Sequence, residues 1–209
     1  MSDPTSDKAL MMQVKNGDLD ALGVLFERYH HRLFGFFYRL TSRRDISADL
    51  VQDVFERILR YRTSYTGNGD FATWLFQIAR NRHADHYRKM EKENEWEHPD
   101  VPHPAASNPA ASHPNAPHSA GPHPAVPDSA LPDTDDRLLL EQALARLDPD
   151  KKQALVLSRM EGFLYREIAE IMACTESAVK VRVFRGLQEL RQIMAGLERQ
   201  TGRKRIHPN

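Results

Sequence analysis

The chain has 209 residues, 40 % of them hydrophobic, and its 29 basic side chains balance 29 acidic ones, so the formal net charge is zero. Taken whole, such a balance argues against a chain-wide nucleic-acid footprint and against an acidic tail. It is an average over unlike parts: residues 1 to 96 carry 15 basic and 14 acidic side chains, residues 97 to 136 carry 6 acidic and no basic ones, and residues 137 to 209 carry 14 and 9. The apolar run Leu33 to Tyr38 is broken by Gly35 and is far too short to span a bilayer, so no membrane insertion is expected. A lone cysteine, Cys174, excludes an internal disulfide framework and a cysteine-based zinc cage.

The opening Met1-Ser-Asp-Pro-Thr-Ser-Asp lacks the basic and apolar regions of a signal peptide, so a cytoplasmic location is expected. Leu22, Leu25, Phe26, Tyr29, Leu33, Phe36, Phe37 and Leu40 then recur at three- and four-residue steps, the period of one helix face. Ser47 is positioned to cap a second helix. It has Leu50, Val51, Val54, Phe55, Ile58 and Leu59 on one face and Asp49, Gln52, Asp53, Glu56 and Arg57 on the other. Thr66-Gly67-Asn68-Gly69 is a turn cluster, and Asp70 can cap a third helix from Phe71 to Lys92. No stretch alternates like a strand.

Between residues 97 and 136 the composition changes. Ten of the thirteen prolines lie here, with Ala, Ser and five histidines but no Lys, Arg or aromatic residue. Without large apolar side chains nothing offsets the entropy of ordering, so this segment reads as a disordered or partly polyproline linker. Beyond it, Arg137 to Leu147 reads as a helix. Asp148-Pro149 is a cap followed by proline at the first helical position, the start of a helix through Met160 that Glu161-Gly162-Phe163 ends. Tyr165 to Met172, the connection Ala173-Cys174-Thr175, and Glu176 to about Leu197 form two helices joined by a tight turn, the helix-turn-helix pattern. The fold class expected is all-α: two small helical domains, 1–96 and 137–209, joined by a flexible Pro/His/Ala-rich linker, 97–136.

At about 100° per residue, Val183, Gly186, Leu187 and Leu190 fall on the same side of the last helix as Val179 and face its core. Ser177, Val181, Phe184, Arg185 and Gln188 lie opposite, with Lys180 and Arg182 on the flanks. Flanking cations suit phosphates, a central arginine suits the O6/N7 edge of guanine, and Val181 and Phe184 suit thymine methyls. An ordinary solvated face is the alternative, although two large apolar groups on an outward side call for a partner. In the third helix, Phe71, Trp74, Phe76 and Tyr87 are interleaved with Arg80, Arg82, His83, His86, Arg88 and Lys89, the mixture of π faces and cations that single-stranded nucleic acid uses. Periodicity turns Leu75, Ile78 and Ala79 inward with Phe71 and Phe76 close by, which leaves Arg80, Asn81, His83 and Arg88 for exposed roles.

Four segments resemble bacterial sigma-70 family sigma factors of the extracytoplasmic-function type. These are Asp49-Leu-Val-Gln-Asp-Val-Phe, Gly69-Asp-Phe-Ala-Thr-Trp-Leu-Phe-Gln-Ile-Ala-Arg-Asn, Leu147-Asp-Pro and Tyr165-Arg-Glu-Ile-Ala-Glu-Ile-Met, in that family's order. The resemblance implies a region 2 over roughly residues 8 to 93 and a region 4 over 137 to 195. It implies a function of binding core RNA polymerase and directing it to promoters, region 2 reading and melting the −10 element and region 4 docking in the −35 element. On that basis Thr175, Ser177, Lys180, Val181, Arg182, Phe184 and Arg185 are expected at the −35 duplex. Tyr65, Asn68, Asp70, Trp74, Arg80, Asn81, His83 and Arg88 are expected at the single-stranded −10 element, with flipped bases held by the loop Tyr61 to Asp70. Asp49, Gln52, Asp53 and Glu56 are expected to dock a helical hairpin of the polymerase's largest subunit. The resemblance also implies an anti-sigma partner.

Other functions fit less well. An enzyme is not expected, because no glycine-rich phosphate loop, paired nucleophile and base, or ligand cluster is present. No cofactor is implied, and no metal: His83 and His86 are spaced for one face but have no third ligand, and His98, His103, His113, His118 and His123 read as linker. Cys174 has no basic neighbour beside it to lower its pKa. The alternative is a stand-alone helix-turn-helix regulator, which leaves the acidic face and basic aromatic helix of the first domain without a use.

Overall fold

The computed structural model describes residues 5–97 and 135–200; of the linker expected over 97–136, residues 98–134 lie outside the described residues, and its ends belong to helices. Among the described residues the chain is helical, with no strand. In chain order the helices are α1 (Asp7–Lys15), α2 (Asp20–Thr41), α3 (Arg44–Tyr61), α4 (Phe71–Glu97), α5 (Asp135–Ala145), α6 (Pro149–Leu155, continued by a π-helical turn Val156–Met160), α7 (Tyr165–Met172) and α8 (Glu176–Gln200).

The first half is built around α2. Leu25, Leu33, Phe36 and Phe37 are fully buried on the stripe that the apolar spacing predicts, and α1, α3 and α4 pack around it. Helix α1 is too short to show a period of its own; Ser6 accepts from the Ala9 amide at its start, and Leu10, Met11 and Val14 close the core from below. Helix α3 corrects one expectation. It begins at Arg44, and Ser47 is buried within its first turn, donating its hydroxyl proton to the Arg43 carbonyl instead of capping an amide. Asp70 does cap α4, accepting from the Thr73 amide at 3.0 Å.

In the second half, Asp148 accepts from the Lys151 amide at 3.2 Å with Pro149 at the first helical position. Gly162, at φ +77°, then turns the chain between α6 and α7 where a side chain would be strained. Gly186 lets α8 approach α6: a Cβ there would lie 3.0 Å from Leu155 Cδ1. Helix α5 packs on the far part of α8 through Leu139, Ala143 and Leu197.

The two halves share one buried core. Phe76 of α4 makes edge contacts with Phe36 of α2 at 5.3 Å and with Phe163, ahead of α7, at 4.9 Å between ring centroids. Glu161, its side chain 4 % exposed, reaches back to Arg32 and Arg39 of α2, both at 3.4 Å. Lys152 is buried with its ammonium donating to the Leu40 carbonyl at 2.7 Å, where it meets one of the unpaired carbonyls at the C-terminal end of α2. His83 of α4 lies near Lys152. Burial, then the Lys152 charge and His86, push its pKa down from 6.5 to about 4.

A pH dependence follows, with its sign set by that depression. His83 is neutral in the packed structure, so its contribution is fully present above the unfolded value near 6.5 and is lost as pH falls toward 4. Urea unfolding of the wild type is expected to lose about 1–2 kcal/mol between pH 7 and pH 5 that His83→Gln does not lose. Comparing the two proteins cancels the titration of Glu161, whose carboxyl is pushed up by burial and held down by Arg32 and Arg39. Equal losses in both proteins would remove His83 as the source.

Candidate nucleic-acid interface

Helix α7 ends at Ala173, which adopts a left-handed conformation at φ +51°, and Thr175 starts α8 by accepting from the Ala178 amide at 3.2 Å. This short connection fixes the angle at which α8 leaves the domain. Val179 (0 % exposed), Val183 and Gly186 are buried, as the helical period requires, while Ser177, Arg185 and Gln188 are exposed. Phe184 is 63 % and Val181 47 % exposed, so the two apolar groups expected at base edges do stand in solvent. The flanking cations already have partners. Lys180 pairs with Glu176 and Arg182 with Asp150, each at 2.9 Å, and Lys151 pairs with Glu189 across the α6–α8 groove. Arg185 has no ion pair among the described residues and stands exposed on the outward face.

The −10 candidates fall into three groups. Asn68 and Asp70 are exposed at the loop before α4, beside Gly67 and Gly69, whose φ values of +71° and +77° make the turn. With Thr73, the half-buried Trp74, Gln77 and Glu170 they line a cavity of about 300 Å³. Further along α4, Asn81 is exposed and Arg80 half-buried; Arg88 is exposed but paired with Asp85. Two residues do not stand where the sequence places them. Tyr65 is 2 % exposed, packed on Trp74 at 4.8 Å, while Lys15 donates to its carbonyl at 2.6 Å. It props Trp74 from behind and presents nothing to a base. His83 is half-buried, and burial with the nearby charge of Lys152 pushes its pKa down to about 4, so in this arrangement it offers no cation to a phosphate near neutral pH.

On α3, Asp49, Gln52 and Glu56 lie exposed along one side. Asp53 departs from that stripe: it is half-buried and bonded to Arg82 of α4 at 3.1 Å, with Arg82 also reaching Asp85 at 3.3 Å. Asp53 therefore braces α3 against α4. Among the described residues no group of three His, Cys, Asp or Glu could hold a metal ion, and no helix is long and apolar enough to cross a membrane. Sequence spacing gives no sign of Arg32, Arg39, Glu161, Lys152 or Glu170, because their partners lie roughly 90 to 130 residues away in the chain.

Comparison with known proteins places both halves. The model for sigma-70 region 2 matches residues 25–93, and that for sigma-70 region 4 matches residues 137–190. The chain is 30 % identical over 196 residues to the RNA polymerase sigma factor CarQ of Myxococcus xanthus, covering 92 % of this chain and 100 % of that one. It is 29 % identical over 185 residues to the ECF RNA polymerase sigma-E factor of Haemophilus influenzae, covering 88 % and 93 %. Among solved structures, the sigma factor RpoE of Bartonella quintana, in complex with the anti-sigma factor NepR, superposes with a TM-score of 0.61 at 25 % identity, covering 81 % of this chain and 94 % of that one. With a 30 % identical relative covering 92 % of the chain, extracytoplasmic-function sigma factors among the other relatives, and both region models in the family's order, the chain belongs to the sigma-70 family of RNA polymerase sigma factors, in its extracytoplasmic-function group.

Proposed function

We propose that this sigma factor binds core RNA polymerase and sets where transcription starts, with α8 reading the −35 duplex and the α4 face with its preceding loop reading and holding the melted −10 strand. The observation that carries this reading is the outward face of α8. Phe184 and Val181 stand exposed around an arginine that has no internal ion-pair partner among the described residues, on the second helix of a helix-turn-helix. The chain supplies recognition and the polymerase supplies the bond-making chemistry, which places the protein in the cytoplasm with the polymerase. In region 2, the exposed loop residues Asn68 and Asp70 beside the half-buried Trp74 suit the capture of a flipped base, since unstacking one base costs only a few kcal/mol. The acidic side of α3, through Asp49, Gln52 and Glu56, fits a basic polymerase surface. An anti-sigma partner is proposed from the complex in which the Bartonella relative was solved. The domains proposed are 1–96 for polymerase docking and the −10 element, and 137–209 for the −35 element.

Membership in the family sets aside the stand-alone regulator. Run-off transcription from a target promoter is expected only when core polymerase and this protein are both present; equal transcript from core polymerase alone overturns the proposal. Within region 4, Arg185→Ala is expected to cost about 1–3 kcal/mol on the preferred −35 sequence and to flatten the preference among mutated sites. Lys180→Ala is expected to weaken all of them alike, and a panel of single-base promoter variants separates the two patterns. In region 2, the double charge reversal Asp49→Lys and Glu56→Lys is expected to abolish co-purification with core polymerase while leaving the helical circular dichroism unchanged. Retained co-purification rules out that face.

A further inference from the structure

The loop ahead of α4 draws support from a helix that no motif in the sequence points to. Within the loop, the Tyr65 amide donates to the Arg62 carbonyl and the Asn68 amide to the Thr66 hydroxyl, while Gly67 and Gly69 take left-handed φ values. A loop that reads a base must be held in one shape, because freedom it has when unbound is lost on binding. Helix α1 lies ahead of the segment matched to sigma-70 region 2. Its Leu10, Met11 and Val14 are buried in the core, whereas Lys8, Met12 and Lys15, spaced four and three apart, share another side. That side meets the loop twice. A Cβ on the buried Gly67 would lie 3.3 Å from Lys8 Cε and 3.8 Å from Met12 Sδ, and the Lys15 ammonium donates to the Tyr65 carbonyl at 2.6 Å.

We propose that Lys15 is a positioning residue for −10 recognition, its ammonium holding the loop 65–70 in the shape that presents Asn68 and Asp70 to the melted strand. Tyr65 is 2 % exposed, so its carbonyl is shut off from water and loses a buried partner if the ammonium goes. The ring of the same residue packs on Trp74 at 4.8 Å and on Phe71 at 6.3 Å between centroids. Fixing the carbonyl therefore fixes the point at which the loop joins the aromatic cluster at the start of α4. Lys15 lies in the last turn of α1, where a lysine ordinarily meets the final carbonyls of its own helix; its ammonium reaches across to the loop. It lies on neither the polymerase-docking side of α3 nor the outward face of α8, so its loss bears on one promoter element alone. This role rests on the assignment of the loop to the −10 strand.

The test uses the full-length chain with core polymerase on a barcoded template pool randomised across the promoter, with transcripts sequenced. Lys15→Met keeps the stem and removes the donor. It is expected to lower the enrichment of preferred bases at the −10 positions about tenfold, the worth of one hydrogen bond to a charged donor. The −35 preference, co-purification with core polymerase and helical circular dichroism are expected to stay at wild-type values. Lys15→Arg retains a cationic donor and is expected to keep the −10 enrichment. In the free protein, amide hydrogen exchange is expected to quicken over residues 65–70 in Lys15→Met and to stay unchanged in α2. Wild-type −10 enrichment in Lys15→Met, unaltered exchange in the loop, or equal loss at both promoter elements overturns the proposal. A wild type that shows no −10 preference at all overturns the functional assignment, and this role with it.

Discussion

The ring of Phe76 is where the two halves of the chain become one object. It lies between Phe36 from the centre of α2 and Phe163 from the turn ahead of α7, with edge contacts near 5 Å on both sides. Removing three such rings from water contributes roughly 1.5–3 kcal/mol each, and it brings Arg32, Arg39 and Glu161 together at the margin of the aromatic cluster. The ion pairs are partly buried, so their attraction is offset by desolvation, and burial indeed pushes the Glu161 carboxyl up. Apolar contact holds the halves together, and the charges fix the register in which they meet. Every later feature follows from that register: the neutral His83, the ammonium of Lys152 on the end of α2, and Glu170 in the wall of the cavity.

Inside region 2 a second junction ties the candidate surfaces to each other. Arg82 projects from α4, takes Asp53 of α3 and Asp85 of its own helix, and buries its Nε. The acidic side of α3 and helix α4 are therefore braced by one guanidinium.

Elements and faces were legible in the sequence wherever a single helix decides them. The inward stripe of α8, through Val179, Val183 and Gly186, and the exposure of Phe184 and Val181 follow from the period alone, and the caps at Asp70 and Asp148 follow from side chain and position. Misplacements arise where a distant segment decides. Tyr65 is aromatic and in the loop, but Trp74 and Lys15 claim it; Asp53 is acidic and on the stripe, but Arg82 reaches it from 29 residues on; His83 lies on the polar side of α4 until region 4 covers it. Ser47 departs from its expected place for a local reason: its hydroxyl satisfies a carbonyl one turn back, and the helix starts earlier than a capping serine implies.

The ion pairs around α8 change what its charge means. Arg182 holds Asp150, Lys180 holds Glu176 and Lys151 holds Glu189, so much of the basic excess of the second domain is matched by carboxylates that the domain carries with it. A phosphate arriving at such a cation exchanges one oxyanion for another. An anion that reaches Lys180, Arg182 or Lys151 must therefore displace a carboxylate first, whereas Arg185 holds no such partner among the described residues.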